Sequence, residues 1–415
     1  MPPPAFVISM ALLACRSTAR DAPVSVVPQV SGDLMAMGYL EFVEDGEDAR
    51  SGVTLHNEAE SWPGYTIVAS RNLRRADLVD IDGDSVHRWF TDGAGYWART
   101  LLMGNGDLVV VGEDEQSGYV QRLSWAGKAR WISRIPAHHD VVPLKGGRFG
   151  VLLWKERRIP PLDRFFDSRD DVVAILGPRG QVMEQRSVYA MLADAPEVLP
   201  LQDADQWVEN LQVRDPFHAN AVEWMDDEEL AAKNPLYSTK NILVSMRNQD
   251  AIVIFDWEAR KAVWAWGQGE LLGPHDATVL PDGHILVFDN GVGRNWSRVV
   301  ELDPLTKRIV WEYRAREGEA FFTESRGSNQ RLPNGNTLIG ESDAARVFEV
   351  TPDGRMVWEF INPASDGRRA TLGRAERVSV EVVRDLWRGL ECNGDGSDDD
   401  EEDLLAGLMP AQDEQ

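Results

Sequence analysis

The stretch HDATVLPDGHILVFDNG, His275 to Gly291, continues into SRVVELDPLTKRIVWEY, Ser297 to Tyr313. Together they read as four short apolar strands punctuated by Pro-Asp-Gly and Asp-Pro turns. The same grammar returns as GSNQRLPNGNTLIGES, Gly327 to Ser342, and ARVFEVTPDGRMVWEF, Ala345 to Phe360. Superposing Leu280-Pro281-Asp282-Gly283 on Leu332-Pro333-Asn334-Gly335 gives a period of about fifty residues, within the range of propeller blades. The chain is therefore expected to be all-β, a six-bladed β-propeller with four-stranded blades.

Working outward, four earlier segments fit the same template. Their inner strands read SGVTLHN from Ser51, WARTLLM from Trp97, HHDVVPL from His138 and HANAVEW from His218. Trp89, Trp131, Trp264, Trp311 and Trp358 all fall in expected outer strands, where a large flat ring covers the junction with the next blade. Only the third blade lacks one. Two insertions break the rhythm, at 157–170 and at about 188–217, and are candidates for a substrate lid. The propeller is expected over residues 51–363. RATLGRAERVSVEVVRDLWRGL, within 364–390, reads as an extension packing on the ring, either strand or helix. Residues 391–415 form an acidic tail whose Asn393, Asp395, Ser397 and Asp399 lack the glycine and glutamate of a calcium loop.

At the other end, Leu12-Leu13-Ala14-Cys15 closes a short apolar run and resembles a bacterial lipobox, although no Lys or Arg precedes it. Residues 1–15 are then a lipoprotein-type signal peptide, 16–50 a linker, and the expected location is the cell envelope, periplasmic or lipid-anchored. The membrane would be met only through a lipid on Cys15. With 68 acidic against 43 basic residues, net charge −25, the chain is no partner for nucleic acid. Its two cysteines offer no disulfide framework.

Histidine is rare, 7 in 415 residues, yet His139, His218 and His275 open three inner strands at what reads as the same register. Inner strands line the central channel, so these imidazoles are expected to converge. Asn220 and Asp276 lie one or two positions further along. Arg294 and Arg247 follow second strands, with Arg71 in the place matching Arg247. His56 is off register and reads as structural. Imidazole nucleophiles beside guanidinium groups suit transfer of a charged group, with no cofactor required.

The phrases GVTLHNEAESWPGYTIVAS, LVDIDGDSVHRW, HANAVEW, NILVSMRNQDAIVIFD, WAWG, HDATVLPDGHILVFDNG and QRLPNGNTLI, in this order over about residues 50–363, resemble the bacterial arylsulfotransferase superfamily that does not use phosphoadenylyl sulfate. That resemblance implies an exported six-bladed propeller moving a sulfuryl group between phenolic compounds, by a ping-pong route through a sulfated histidine. It implies active-site roles for His218 and His275, and sulfate binding by Arg294. The nucleophilic histidine is expected near the start of the sixth inner strand, where the chain reads Arg326-Gly327-Ser328. The partner is then a small phenolic sulfate or related anion. Two alternatives stand beside it: a noncatalytic binding or assembly propeller, and a metal-dependent hydrolase using His139, His218 and His275 with Asp140 or Asp276.

Overall fold

The computed structural model describes residues 42–43, 50–163, 165–202, 207–208, 213–316, 318–363 and 369–392. The leader, Cys15, most of the linker and all but the start of the acidic tail lie outside them. Six antiparallel sheets form a six-bladed propeller, each sheet built around four consecutive strands of the ring path. Second strands such as Asn241–Met246 and Ile285–Asp289 are buried along their whole length. Their near-continuous apolar sequence follows from having a neighbouring blade on each face. Outer strands such as Ser85–Phe90 alternate and keep a solvent face.

Ring closure differs from the expected first blade. GVTLH, Gly52–His56, is a fifth, outermost strand of blade VI, paired with Met356–Ile361. The inner strand of blade I is instead Leu372–Val378, paired with Tyr65–Ser70. The stretch after Pro363 thus contains both a strand that completes the ring and a helix, Val380–Cys392. Strand propensity cannot decide between the two segments, because each alternates and only the path of the chain assigns one to the channel.

The tryptophans zip the blades together. Indole N–H groups of Trp89, Trp264, Trp311 and Trp358 donate to the carbonyls of Ser124, Pro304, Pro352 and Ile81, each in the next blade, at 3.2, 3.1, 2.8 and 2.8 Å. Blade III, which lacks the tryptophan, places the Arg186 guanidinium over Trp257 of blade IV at 4.8 Å. A short helix from the second insertion, Val188–Ala193, buries Val188, Met191 and Leu192 in the same core.

Candidate functional site

Five inner strands carry a bulge, between Leu372 and Ala375, Trp97 and Arg99, His138 and Val141, Ala219 and Ala221, and His275 and Thr278. An extra residue breaks the pleat and re-aims its side chain. Here the bulges crowd one mouth of the channel, and His139, His218 and Asp276 adopt positive φ of 56°, 48° and 50°. Non-glycine residues persist in that region only where surrounding contacts impose it. His139 lies within its bulge, off the register of the other two histidines. Its ring comes within 4.8 Å of the His218 ring and 5.1 Å of His138, centroid to centroid.

The three imidazoles are held differently. His218 donates from Nδ1 to Asp215 Oδ2 at 2.6 Å and from its backbone N–H to Oδ1 at 3.2 Å. That leaves Nε2 as a lone-pair nitrogen with no hydrogen bond among the described residues. Burial acts to raise the Asp215 carboxyl, but the His218 ring beside it brings it below its usual value. His139 makes no hydrogen bond through its ring among the described residues. Burial first, then the rings of His218, His138 and His275 and the Arg71 guanidinium, hold its basicity well below normal, so the ring is neutral.

His275 is fully satisfied. Nδ1 donates to Asn290 Oδ1 at 2.7 Å, and Nε2 accepts the Arg326 N–H at 3.2 Å. Asn290 is itself anchored on the carbonyls of Thr323 and Arg326. Burial first, with the Arg247 guanidinium and the neighbouring His218 ring, pushes His275 down to about 3. This ring is a strut between blades V and VI.

Two matching 3-10 turns carry arginines to the same mouth. Arg71–Leu73 in blade I and Arg247–Gln249 in blade IV both end in a left-handed residue, Arg74 and Asp250. Arg71 acts on His139, and Arg247 on His275. Arg294 is engaged elsewhere, by the Asp289 carboxylate at 3.1 Å and over the Trp296 ring at 4.1 Å. Asn220 and Asp276 tie blades together below the mouth. Asn220 donates to the Pro274 carbonyl at 2.9 Å, and Asp276 pairs with Arg374 at 2.5 Å and accepts from the Asn329 N–H at 2.7 Å. His56 faces Asp82 on the outermost strand of blade VI.

The sixth inner strand explains why no histidine stands at its start. Gly327 has φ of 107°, and a Cβ there would lie 2.6 Å from the Phe288 ring. No side chain fits without displacing Phe288. The sequence reading also missed Asp215, which arrives from the second insertion and whose carbonyl is held by Asn248 Nδ2 at 2.6 Å. The signal was its spacing, three residues before His218. Among the described residues, the His and carboxylate ligand atoms gathered within 4.8 Å belong to Asp282, His284 and Glu301, at a turn of blade V. The channel histidines form no such group with Asp140 or Asp276.

The fold and the mouth define a six-bladed propeller presenting imidazoles and guanidinium groups at one end of its channel. The chain belongs to the arylsulfotransferase (ASST) family, whose profile matches residues 102–363, and is an arylsulfotransferase-like propeller. No curated protein sequence matches. Among solved structures, a Bacteroides caccae protein of unknown function is similar at 12% identity and a TM-score of 0.50, over 75% of this chain and 98% of that one. A streptogramin B lyase shares 12% identity at a TM-score of 0.43, over 82% and 97% of the chains. Virginiamycin B lyase from Staphylococcus aureus shares 10% at 0.43, over 76% and 90%. At such identities the first likeness concerns the fold alone.

Proposed function

We propose that this protein transfers the sulfuryl group of a phenolic sulfate to an acceptor phenol, with His218 as the nucleophile in place of the absent sixth-strand histidine. The observation that carries this is the Asp215–His218 pair, whose Nε2 is open beside a neutral His139. The Nε2 lone pair attacks sulfur; the N–S bond forms as the bond from sulfur to the phenolic oxygen breaks, and the phenolate leaves with that electron pair. Asp215 balances the positive charge that grows on the sulfated ring, as a carboxylate does for a catalytic imidazole. Arg71 and Arg247 face the sulfuryl oxygens with positive charge. In the second half the acceptor oxygen attacks sulfur, its proton passes to His139, and the N–S electron pair returns to His218.

Purified protein should release 4-nitrophenol from 4-nitrophenyl sulfate in a manner dependent on added phenol. His218→Ala should abolish release, and Asp215→Asn should lower kcat by about 10²- to 10⁴-fold. Full activity in His218→Ala would dismiss the assignment of the nucleophile. Absence of release by the wild type over a panel of aryl sulfates would favour a noncatalytic anion-binding propeller. The run ending at Cys15 supports a place in the cell envelope, with attachment through a lipid on that residue. The mass of the mature N-terminal peptide tests it.

A further inference from the structure

Tyr96 stands in blade II at the position that His218 occupies in blade IV. Tyr96, opposite Glu113, immediately precedes Trp97, which flanks its bulge opposite Gly112, as His218 immediately precedes Ala219, which flanks its bulge opposite Met246. The His218 carbonyl accepts the N–H of Arg247 at 3.2 Å, as the Thr371 carbonyl accepts that of Arg71 at 3.0 Å. One face of the Tyr96 ring carries the Arg71 guanidinium, 3.7 Å from the centroid. Its hydroxyl donates to Glu113 Oε2 at 2.8 Å, which fixes the plane of the ring. An aromatic face attracts a cation through its quadrupole and, being rigid, dictates where the cation rests. Arg71 in turn acts on His139, at the centre of the proposed site.

We propose that Tyr96 is a positioning residue for substrate binding: its ring holds the Arg71 guanidinium at the channel mouth, where Arg71 binds the anionic group of the donor. This rests on reading the site as an aryl sulfate site. Arg71 comes from blade I, Tyr96 from blade II and Arg247 from blade IV, so the stack places one anion-binding cation at a mouth to which Arg247 brings another.

The test uses the full-length protein with 4-nitrophenyl sulfate as donor and phenol as acceptor. Tyr96→Leu should raise KM for the donor about tenfold while kcat changes less than about twofold, the size of one well-placed cation–aromatic contact. Tyr96→Phe, which keeps the ring, should restore KM to within about twofold of wild type. Because Tyr96 acts through Arg71, Tyr96→Leu combined with Arg71→Met should bind no worse than Arg71→Met alone. A purely structural tyrosine would lower the unfolding midpoint without this split in KM and kcat, and without rescue by phenylalanine. Unchanged KM in Tyr96→Leu, or additive losses in the double variant, would overturn the proposal while leaving the transferase reading intact. If the wild type neither turns over 4-nitrophenyl sulfate nor binds it in a calorimeter, both fall together.

Discussion

Three neutral histidines link this protein's stability to acid. Burial takes His275 down to about 3 and His87, stacked on Trp125, down to about 4, and it is the first cause holding His139 well below normal. A histidine whose folded value lies below its ordinary 6.5 binds fewer protons folded than unfolded. Its contribution is therefore complete above about pH 6.5 and is lost as pH falls toward the folded value, by up to about 1.4 kcal/mol per pH unit. Carboxylates contribute losses of the same sign, so the comparison that isolates the effect is His87→Phe, remote from the mouth. Urea unfolding between pH 7 and 5 should show a shallower fall for the variant; parallel curves would refute the assignment. Gly327 is the second residue to probe. Gly327→Ala should cost about 1–3 kcal/mol in urea unfolding through the clash with Phe288, and an unchanged midpoint would show that the ring yields freely. At this scale the sequence betrays the histidines because they are scarce and stand near strand starts. It conceals how each is held. Nothing in HDATV tells that both nitrogens of His275 are engaged, since Asn290 and Arg326 reach it only through the fold. The same holds for Arg294, whose charge is claimed by Asp289, a residue five positions away in FDNGVGR.

At the scale of elements, repetition made the blades legible and chain path decided what repetition could not. Turns such as LPDG and LPNG mark where second strands begin, because a tight reversal needs glycine at positive φ, and both Gly283 and Gly335 have it. The outer-strand tryptophans were equally plain, and their inter-blade role is now specific: each of four indoles reaches a turn carbonyl of the following blade. Trp264→Phe keeps the ring surface but withdraws the hydrogen bond to Pro304, so it should cost about 1 kcal/mol. Trp131→Phe, whose indole nitrogen has no such partner, should cost measurably less. Equal losses in thermal or urea unfolding would mean that only ring packing matters. The insertions were visible as breaks in rhythm, but their use was not. The hairpin of blade III, Arg148–Arg157 and Ser168–Leu176, runs past its neighbours, and Arg214 of the second insertion pairs with Asp163 of the first. Next to that clip stands Asp215. The second insertion, read as a candidate lid, supplies the partner of His218.

Across the whole molecule, polar and charged side chains of the inner strands join one blade to the next in sequence around the axis. Glu376 of blade I meets Arg99 of blade II at 3.5 Å, Arg99 meets Asp140 of blade III at 3.1 Å, and Asp140 accepts the Val222 N–H of blade IV at 3.0 Å. Glu223 of blade IV accepts the Val279 N–H of blade V at 2.9 Å, and Asp276 accepts from Asn329 of blade VI. Gln330 and Arg377 exchange hydrogen bonds between blades VI and I. Arg99, Asp140, Asp276 and Arg377 are nearly inaccessible. Three of the belt's residues, Arg374, Glu376 and Arg377, come from the closing strand that follows Pro363, which is why the ring is incomplete without it. In the proposed route the first phenol leaves before the acceptor binds, so donor and acceptor phenol use the site in turn. Kinetically this predicts parallel double-reciprocal lines at low acceptor, and inhibition by high phenol that is competitive with the aryl sulfate, because phenol then occupies the unsulfated enzyme. Initial rates over a grid of 4-nitrophenyl sulfate and phenol concentrations distinguish the cases. Intersecting lines would mean that donor and acceptor are bound together, and would overturn the ping-pong route through His218.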